Sequence, residues 1–352
     1  MKAADIIYGR SALARTMRTI LHPLSALFGS VVGLRNYLFD TGRLFSADGN
    51  IPVISVGNIS VGGTGKTPVT AWLASRLLEA GLRPGIILRG YGGDEQLVHA
   101  HLNPGVPVVA DADRLRGVMH ASREGAEVAI LDDAFQHRRI NRGWDIVLLS
   151  ADRWSERMAL LPSGDLREPL SSLERASLVV ITRKAASRDK AIAIESVIRK
   201  RFRHQPIAIA LLAPDKLRDR EGNMLPMTAL EGQEVLAISA VGDNSAFQSQ
   251  LEELRATVRF RAFPDHHAYS VEDVAGLARE SSTVQFVICT LKDAVKLWPE
   301  WPADAKPLWY VSQALVLESG AGALDELISQ VTATKRNQPQ TGGLQKPLDS
   351  KT

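Results

Sequence analysis

The sequence predicts an α/β protein built on a doubly wound parallel sheet, and three observations carry that prediction. Short apolar runs rich in β-branched residues, typical of buried strands, recur along the chain. Stretches with the spacing of amphipathic helices separate them, which is the alternation that parallel βαβ units require. A glycine-rich turn, residues 57–65, joins one such run to a helix, and this turn lies where doubly wound sheets bind their ligands.

The composition is that of an ordinary globular protein. Of the 352 residues, 45% are hydrophobic and 23% are charged, and the length suffices for one large or two medium domains. A net charge of +3 is too weak to indicate a nucleic-acid partner, although it suits an acidic substrate or a membrane surface. The single cysteine, Cys289, lies in an apolar run and is interpreted as a small buried hydrophobic residue, which fits a reducing compartment.

The N-terminal segment, residues 6–39, contains no aspartate or glutamate, and its apolar residues recur close to helical spacing. Its basic residues are Arg10, Arg15, Arg18 and Arg35. The longest uncharged run, residues 19–34, is interrupted by proline and glycine and falls short of the ~20 apolar residues that span a bilayer. A basic amphipathic segment predicts a helix on a membrane surface, and a helix packed on the protein's own core fits the composition equally well.

The first apolar run, residues 51–56, is predicted to be a buried strand, and the helix after the glycine-rich turn ends at Gly81. Strand, glycine-rich loop, Lys66, Thr67 and helix follow each other as in a phosphate-binding P-loop. Backbone N–H groups and the helix N-terminus would bind the anion, the lysine would contact the β- and γ-phosphates, and the threonine hydroxyl would hold Mg²⁺. The predicted phosphate-binding residues are Ser60, Val61, Gly62, Gly63, Thr64, Gly65, Lys66 and Thr67.

The generic P-loop pattern is met only in its second half, because Ser60 stands at its first glycine position. A glycine-rich turn that binds nothing is the alternative. The sequence Gly65-Lys66-Thr67 nevertheless lies between a strand and a helix, as phosphate binding requires. We therefore expect a nucleoside triphosphate, with Mg²⁺, bound to a P-loop NTPase-like sheet.

Four further strands complete the first series, and two carboxylates follow one of them. Asp132 and Asp133 come directly after an apolar strand, the position from which a Walker B carboxylate contacts Mg²⁺. Two aspartates after a strand are common in turns, so this pair indicates a metal site mainly because a P-loop precedes it. The predicted strands are residues 84–89, 106–110, 128–131 and 145–149.

A second α/β series, which has no P-loop, begins near residues 150–153, and we expect it to form a smaller lobe that handles the other substrate. Its predicted strands are residues 178–182, 207–212, 235–239, 258–263 and 284–290. A strand at 308–311 and a helix at 321–331 follow, and the polar tail after them is expected to be disordered. The predicted division is a P-loop lobe of residues 1–150 plus 310–331, a second lobe of residues 151–309 and a tail of residues 332–352.

Phosphoryl transfer also needs a group that accepts the proton of the attacking hydroxyl. Asp94 is placed in a loop after the predicted second strand, and His266 follows a strand of the second series, so the two could pair across a cleft. Solvent exposure or helix capping is the commoner role of a loop histidine. Residues 167–170 and 292–296 are charged clusters that could be phosphate and metal contacts or ordinary helix starts.

Taken together, the segments from Ile51 to Lys296 resemble the tetraacyldisaccharide 4'-kinase family, the lipid A 4'-kinases. The matching motifs, in chain order, are VGNISVGGTGKTP, LRGYGG, GDE, DADR, LDDAFQHR, LLPSGDLREPL, VGDN, FPDHHAYS and TLKDAVKL. LDDAFQHR and LREPL are the most specific of them, because ordinary P-loop proteins do not carry them. Ser60 at the first glycine position is usual in this family.

The resemblance implies transfer of the γ-phosphate of ATP to the 4'-hydroxyl of a tetraacylated glucosamine disaccharide 1-phosphate, a late step of lipid A biosynthesis. It also implies a peripheral enzyme on the cytoplasmic face of the inner membrane of a Gram-negative-type bacterium, which favours the membrane-surface interpretation of residues 6–39. Each arginine there would contribute about 1 kcal/mol near anionic headgroups. The family fold has two α/β/α lobes joined by a short two-stranded linker, and we expect a monomer.

The resemblance assigns roles by position. Lys66 and Thr67 match the P-loop pair, and Asp132 and Asp133 match the acidic pair that serves Mg²⁺ and the phosphates.

Asp94, in GDE, matches the proposed catalytic base, and His266, in DHH, matches its partner in a dyad. Glu168, in LREPL, matches an acid on the metal side of the site. Further active-site candidates in matched motifs are Arg114, Gln136 and His137.

The chain departs from the family between residues 90 and 95, where the RGY-G and GDE motifs are fused and a longer segment with a strand is missing. Gln96 also replaces the usual proline. One alternative is a partner-regulated ATPase of the ParA- and MinD-like type, which shares the GG-x-GK-T loop but usually carries lysine where this chain has Val61. Another is a nucleotide-gated binding module without catalysis.

Overall fold

The structure is a computed structural model that describes residues 7, 9, 11–90, 93–155, 158–242 and 244–337. The strands, in chain order, are β1 (Val53–Asn58), β2 (Pro84–Leu88), β3 (Val108–Ala110), β4 (Val128–Asp132), β5 (Trp144–Ser150), β6 (Leu178–Arg183), β7 (Ile207–Arg218), β8 (Met224–Pro226), β9 (Glu234–Ser239), β10 (Thr257–Ala262), β11 (Phe286–Cys289) and β12 (Leu308–Ser319). The α-helices are α1 (Ala12–Asp40), α2 (Lys66–Glu79), α3 (Asp94–Leu102), α4 (Arg114–Arg123), α5 (Arg188–Arg201), α6 (Asn244–Glu252), α7 (Val271–Ser281), α8 (Leu291–Leu297) and α9 (Ala321–Asn337).

One mostly parallel sheet confirms the predicted α/β class. Its strand order is β10-β9-β11-β12-β7-β6-β5-β1-β4-β2-β3, and β8 pairs with β7 at the side of this path. β1 lies between β4 and β5 and is parallel to both, with Val56 opposite Asp132 on one side and Ile146 on the other. Ile54 belongs to the core that contains α2, whereas its neighbour Val53 belongs to the core that contains α4. Apolar residues therefore cover both faces, as a doubly wound sheet requires.

Two long antiparallel strands, β7 and β12, connect the two parts of the sheet. The first half of β7 pairs with β6, and its second half pairs with β8. β12 runs along β7, and its first residues also pair in parallel with β11. The strands β9, β10 and β11 lie beyond this pair. The pair thus provides the two-stranded connection that the family resemblance implied.

The predicted boundary near residues 150–153 does not coincide with a break in the sheet. Residues 146–150 of β5 pair in parallel with residues 178–182 of β6, and β6 pairs in turn with β7. The strand at 178–183, predicted to open the second series, therefore lies in the P-loop half of the sheet. A buried apolar strand carries no sequence signal for the neighbour it pairs with, so the sequence alone does not say where in the sheet this strand lies.

Three local predictions need correction. Asp94 is the first residue of helix α3 rather than part of a loop, and Gly93 precedes it with a left-handed φ of 73°. The predicted disordered tail is wrong for residues 332–337, which continue α9, while residues 338–352 lie outside the described residues. The first strand begins at Val53 rather than at residue 51. The prediction that Cys289 is buried is confirmed.

Helix α1 runs unbroken for 29 residues through Pro23. It is the one helix in the described part of the chain that is long and apolar enough to cross a membrane by length and composition. One face is buried, and on it Ser25 donates to the backbone oxygen of Leu160 at 3.0 Å while Asn36 donates to Glu168 at 3.1 Å. The opposite face carries the exposed residues Leu13, Ile20, Leu24, Leu27, Val31 and Leu34.

Candidate active site

The P-loop is held in place by side chains from two strands. Gly65 precedes α2 with a left-handed φ of 87°, a conformation that glycine adopts without strain. Asn58, at the end of β1, donates to the Thr64 hydroxyl at 3.0 Å. From β6, the Thr182 hydroxyl donates to the Thr64 carbonyl at 2.8 Å. The loop is therefore shaped by the protein itself, with the N-terminus of the 14-residue helix α2 at its end, where an anion is stabilised.

A close backbone contact brings the segment after β4 to the P-loop strand. A Cβ atom on Gly57 would lie 2.7 Å from the backbone nitrogen of Phe135, so a larger residue would push the two segments apart. Gln136 strengthens the contact by donating from Nε2 to the Asn58 carbonyl at 2.7 Å. The glycine in VGN and the aromatic residue in DDAFQ thus place the two predicted aspartates beside the phosphate loop.

The two aspartates point in different directions and have different environments. Asp132 ends β4 and is buried, and its Oδ2 lies 2.9 Å from Nε2 of His99 on α3. Asp133 adopts a left-handed φ of 50° and stays partly exposed. Its Oδ1 lies 3.6 Å from Nζ of Lys66 and 3.3 Å from a guanidinium nitrogen of Arg167. Asp133 therefore lies at the phosphate-binding lysine, and Asp132 lies deeper.

Asp132 has a lowered pKa and, in the described part of the chain, one oxygen without a hydrogen-bond partner. Burial alone would raise its pKa, but the hydrogen bond and charge of His99 and the charge of Lys66 outweigh burial, and the pKa of Asp132 lies below its usual value. The Oδ1 atom is buried and has no hydrogen-bond partner. A buried ionised oxygen without a partner costs free energy unless a cation or donor completes it.

These residues fit Mg²⁺. The orphaned Asp132 Oδ1 and the half-buried Thr67 hydroxyl in the first turn of α2 are hard oxygen ligands. Mg²⁺ is usually held by one or two carboxylates together with substrate phosphates and waters. Among the described residues, no group of three or more His, Cys, Asp or Glu side chains forms a metal cage. The two oxygens therefore suit a Mg²⁺ ion whose other ligands are phosphates and waters.

The predicted pair of Asp94 and His266 is brought together. Nδ1 of His266 lies 3.2 Å from Oδ2 of Asp94, which is buried at the start of α3. The other oxygen, Oδ1, accepts the backbone N–H of Glu95 at 3.0 Å. His266 has a left-handed φ of 58° in a turn closed by the bond from His267 N–H to the Pro264 carbonyl at 3.0 Å. This turn carries the half-exposed imidazole back to α3.

Glu168 lies in a buried cluster whose other members are not acids. Its carboxylate accepts hydrogen bonds from Asn36 at 3.1 Å and from Arg175 at 2.9 Å, and Arg35 lies 3.6 Å away. The side chain is fully buried. The segment that contains it also pairs with the P-loop, since Val61 N–H donates to the Asp165 carbonyl at 2.8 Å. Residues 165–168 therefore join α1 to the P-loop.

The remaining predicted residues lie around the two aspartates. Arg114 is buried at the start of α4 and donates to the carbonyl of Asp132 at 3.4 Å. Burial lowers the pKa of Arg114, against the raising influence of the two aspartates. Burial and the charge of Arg114 also lower the pKa of His137. The second charged cluster, residues 292–296, lies in α8, where Asp293 accepts the hydroxyl of Tyr269 at 3.0 Å.

Sequence reasoning missed His99 as a partner of Asp132. The histidine lies five residues after Asp94 on α3 and 33 residues before its partner, and no motif spacing links such positions. Only the packing of α3 against the end of β4 shows the pair.

Comparison with known proteins identifies the family. The family model described as tetraacyldisaccharide-1-P 4'-kinase, LpxK, matches residues 17–99 and 92–333. The chain belongs to the tetraacyldisaccharide-1-P 4'-kinase family. The two matched segments overlap at residues 92–99.

Relatives in the tetraacyldisaccharide 4'-kinase family match most of the chain. The enzyme of Chlorobaculum parvum is 35% identical over 308 residues, which cover 80% of this chain and 84% of the relative. The enzyme of Bdellovibrio bacteriovorus is 30% identical over 340 residues, covering 90% and 99%. The crystal structure of the "apo" form of LpxK from Aquifex aeolicus in complex with ATP matches with a TM-score of 0.73 at 32% identity, covering 90% of this chain and 99% of that one.

Proposed function

We propose that the protein transfers the γ-phosphate of ATP to the 4'-hydroxyl of a tetraacylated glucosamine disaccharide 1-phosphate. Family membership over most of the chain supports the reaction and the substrate class. The single observation that carries the chemistry is the pair of Asp94 and His266 at 3.2 Å, since it joins the second lobe to α3, the helix whose His99 contacts Asp132. An ATPase regulated by a protein partner has no need of such a pair.

Different residues bind the phosphates, hold the metal and accept the proton in the proposed phosphoryl transfer. The P-loop N–H groups and Lys66 bind the β- and γ-phosphates of ATP, and Asp133 orients the lysine at 3.6 Å. Thr67 and Asp132 would hold Mg²⁺, which supplies charge neutralisation at the phosphates. The 4'-hydroxyl oxygen attacks the γ-phosphorus, the bond to the bridging oxygen of ADP breaks, and Asp94 accepts the hydroxyl proton.

His266 acts on Asp94 rather than on the phosphate. With Nδ1 at 3.2 Å from Oδ2, it orients the carboxylate and stays hydrogen-bonded to it when Asp94 accepts the proton. We propose that the second lobe carries this histidine to the site. We also propose that the lobe boundary runs through β7 and β12 rather than at residue 150, because these strands belong to both halves of the sheet. We propose that Glu168 tethers α1, since Asn36, Arg35 and Arg175 surround its carboxylate. Its Oε1 has no hydrogen-bond partner among the described residues, and the metal role of Glu168 stays a prediction.

We also propose that α1 binds the cytoplasmic face of the inner membrane and that the enzyme acts there as a monomer. The supporting feature is a stripe of exposed apolar residues on the face opposite Ser25 and Asn36. Arg15 is exposed near the start of the helix and suits anionic headgroups. Arg35 has another role, because its guanidinium donates to the Gln136 carbonyl at 3.1 Å. Arg10 lies outside the described residues.

A transfer assay tests the function. Purified protein is incubated with γ-labelled ATP, Mg²⁺ and a tetraacylated disaccharide 1-phosphate in detergent, and the lipid fraction is counted. We expect label in the lipid with the wild type and none above background with Lys66→Ala. Label released only as inorganic phosphate would overturn the kinase proposal in favour of a partner-regulated ATPase.

A flotation assay tests the membrane surface. Leu27→Asp places a charge in the exposed stripe, and Ala26→Asp places the same charge on an exposed position beside it. Because burying one leucine contributes about 1.5–3 kcal/mol, we expect the first variant to bind anionic vesicles at least tenfold more weakly than the second. Equal binding by the two variants would refute the proposed orientation of α1.

A further inference from the structure

Helix α3 carries two side chains of the proposed site, one on the proton-accepting side and one on the metal side. Asp94 at its first position is the proposed base, and His99, one and a half turns later, reaches Asp132. Between them, Val98 packs into the apolar core that contains β9 and β11. The helix is therefore clamped between the lobes, and any shift of it would move the proposed base and the histidine together.

The contact between His99 and Asp132 is short and buried. Nε2 of His99 lies 2.9 Å from Oδ2, and in the tautomer that carries its proton on Nε2 the histidine donates to the carboxylate. The histidine is fully buried, and its Nδ1 has no partner. This ring therefore makes one polar contact in the described structure, and that contact is with Asp132. A core histidine serving only stability would be expected to satisfy both nitrogens.

The bond leaves the two oxygens of Asp132 unequal. Oδ2 is occupied by His99, whereas Oδ1 is buried, has no partner and is the oxygen that fits Mg²⁺. A hydrogen bond at one oxygen restrains rotation of the carboxylate about its Cβ–Cγ bond, so the free oxygen is held in its direction before the metal arrives. Fixing a ligand in this way raises metal affinity because less conformational freedom is lost on binding.

We propose that His99 is a positioning residue that fixes Asp132 so that Oδ1 alone faces the metal of the bound Mg²⁺–ATP complex. The inference rests on the proposed function, since it assumes that Asp132 is a metal ligand. The inference adds to the proposed function a second role for helix α3, besides carrying the proposed base. His99 touches neither substrate nor metal and acts only through Asp132.

The test measures metal binding directly. Mn²⁺ is titrated into the protein saturated with the β,γ-methylene analogue of ATP, and free Mn²⁺ is followed by electron paramagnetic resonance. His99→Leu removes the donor at similar volume, and His99→Gln keeps an amide donor of similar reach. His120→Gln is the control, because His120 is exposed on α4 and its ring nitrogen lies 3.3 Å from Glu124.

We expect His99→Leu to raise the Mn²⁺ dissociation constant at least tenfold, within the 10–100-fold range for such partners of a metal ligand. His99→Gln and His120→Gln should stay within about threefold of the wild type, and the affinity for the nucleotide without metal should not change. If His99→Leu is not recovered folded, His99→Asn, whose amide is too short to reach Oδ2, is held to the same criterion. Unchanged Mn²⁺ affinity in the variant without the donor, or an equal loss in His99→Gln, overturns the proposal.

The same titration distinguishes a failure of the proposed function from a failure of the positioning role of His99. If the wild type itself binds no Mn²⁺ in the presence of the nucleotide analogue, the proposed metal-dependent kinase function fails together with the role of His99. If the wild type binds Mn²⁺ and His99→Leu binds it equally well but melts at a lower temperature, only the positioning role fails. The histidine would then be a stabilising core residue.

Discussion

Replacing Asp94 by asparagine is the sharpest test of the site. The side chain is 3% exposed and makes two contacts, with the Glu95 N–H at 3.0 Å and with Nδ1 of His266 at 3.2 Å. Asparagine keeps the shape, the carbonyl acceptor for Glu95 and a polar group facing His266. It loses the negative charge at the first position of α3, worth about 0.3–1 kcal/mol of stability. It also loses the ability to accept a proton.

The expected effect is therefore on turnover. A positioned general base contributes about 10²–10⁴ in rate, which is about 2.7–5.4 kcal/mol of barrier at 1.36 kcal/mol for each factor of ten. We expect Asp94→Asn to lower kcat by that factor while KM for ATP stays within about threefold, since the hydrogen bonds of Asp94 are with Glu95 and His266, which are not phosphate-binding residues. Steady-state transfer of label from ATP to the lipid measures both constants.

The control is Asp325→Asn, which changes an exposed carboxylate on α9 whose guanidinium partner, Arg76, lies 3.5 Å away at the protein surface. It should leave both constants unchanged. A loss of less than about tenfold in Asp94→Asn, about 1.4 kcal/mol, would show that another group accepts the proton. A large rise in KM for ATP with little change in kcat would assign Asp94 to binding instead.

Three further predictions concern the supports of the site. Thr182→Val leaves the buried Thr64 carbonyl without its donor, so it should lower the free energy of unfolding by about 1–3 kcal/mol. It should also raise KM for ATP more than KM for the lipid, and an equal rise in the two KM values would contradict this prediction. Glu168→Ala should cost about 1–3 kcal/mol by leaving the Asn36 amide and the Arg175 guanidinium without their acceptor, seen as a lower melting temperature without nucleotide, whereas an unchanged melting temperature would contradict the tether. Arg183 lowers the pKa of Glu318 below its usual 4.5, so the ion pair should stabilise the wild type relative to Glu318→Gln in full above pH 4.5. This difference in the free energy of unfolding should disappear as the pH falls through the lowered pKa. Urea unfolding against pH measures the difference, and a difference that persists at low pH would refute the prediction.

The sequence by itself determined the fold class and the phosphate loop. Strand periodicity and the turn that ends in Gly65-Lys66-Thr67 are local properties, because a run of apolar residues and a left-handed glycine have the same meaning wherever the chain places them. The order of motifs added the family, and with it the pair of Asp94 and His266, which the structure brings to 3.2 Å.

Only the tertiary structure decided how these local pieces meet. It placed β6 beside β5, brought Asn36 of the N-terminal helix to Glu168, and gave Asp133 a left-handed backbone that separates its side chain from that of Asp132. It also brought His99 to Asp132. The physical reason is common to all of these. Strand order and contacts between distant side chains depend on which buried surfaces pack together, and apolar strands and buried polar groups carry no mark of their partner in the linear chain.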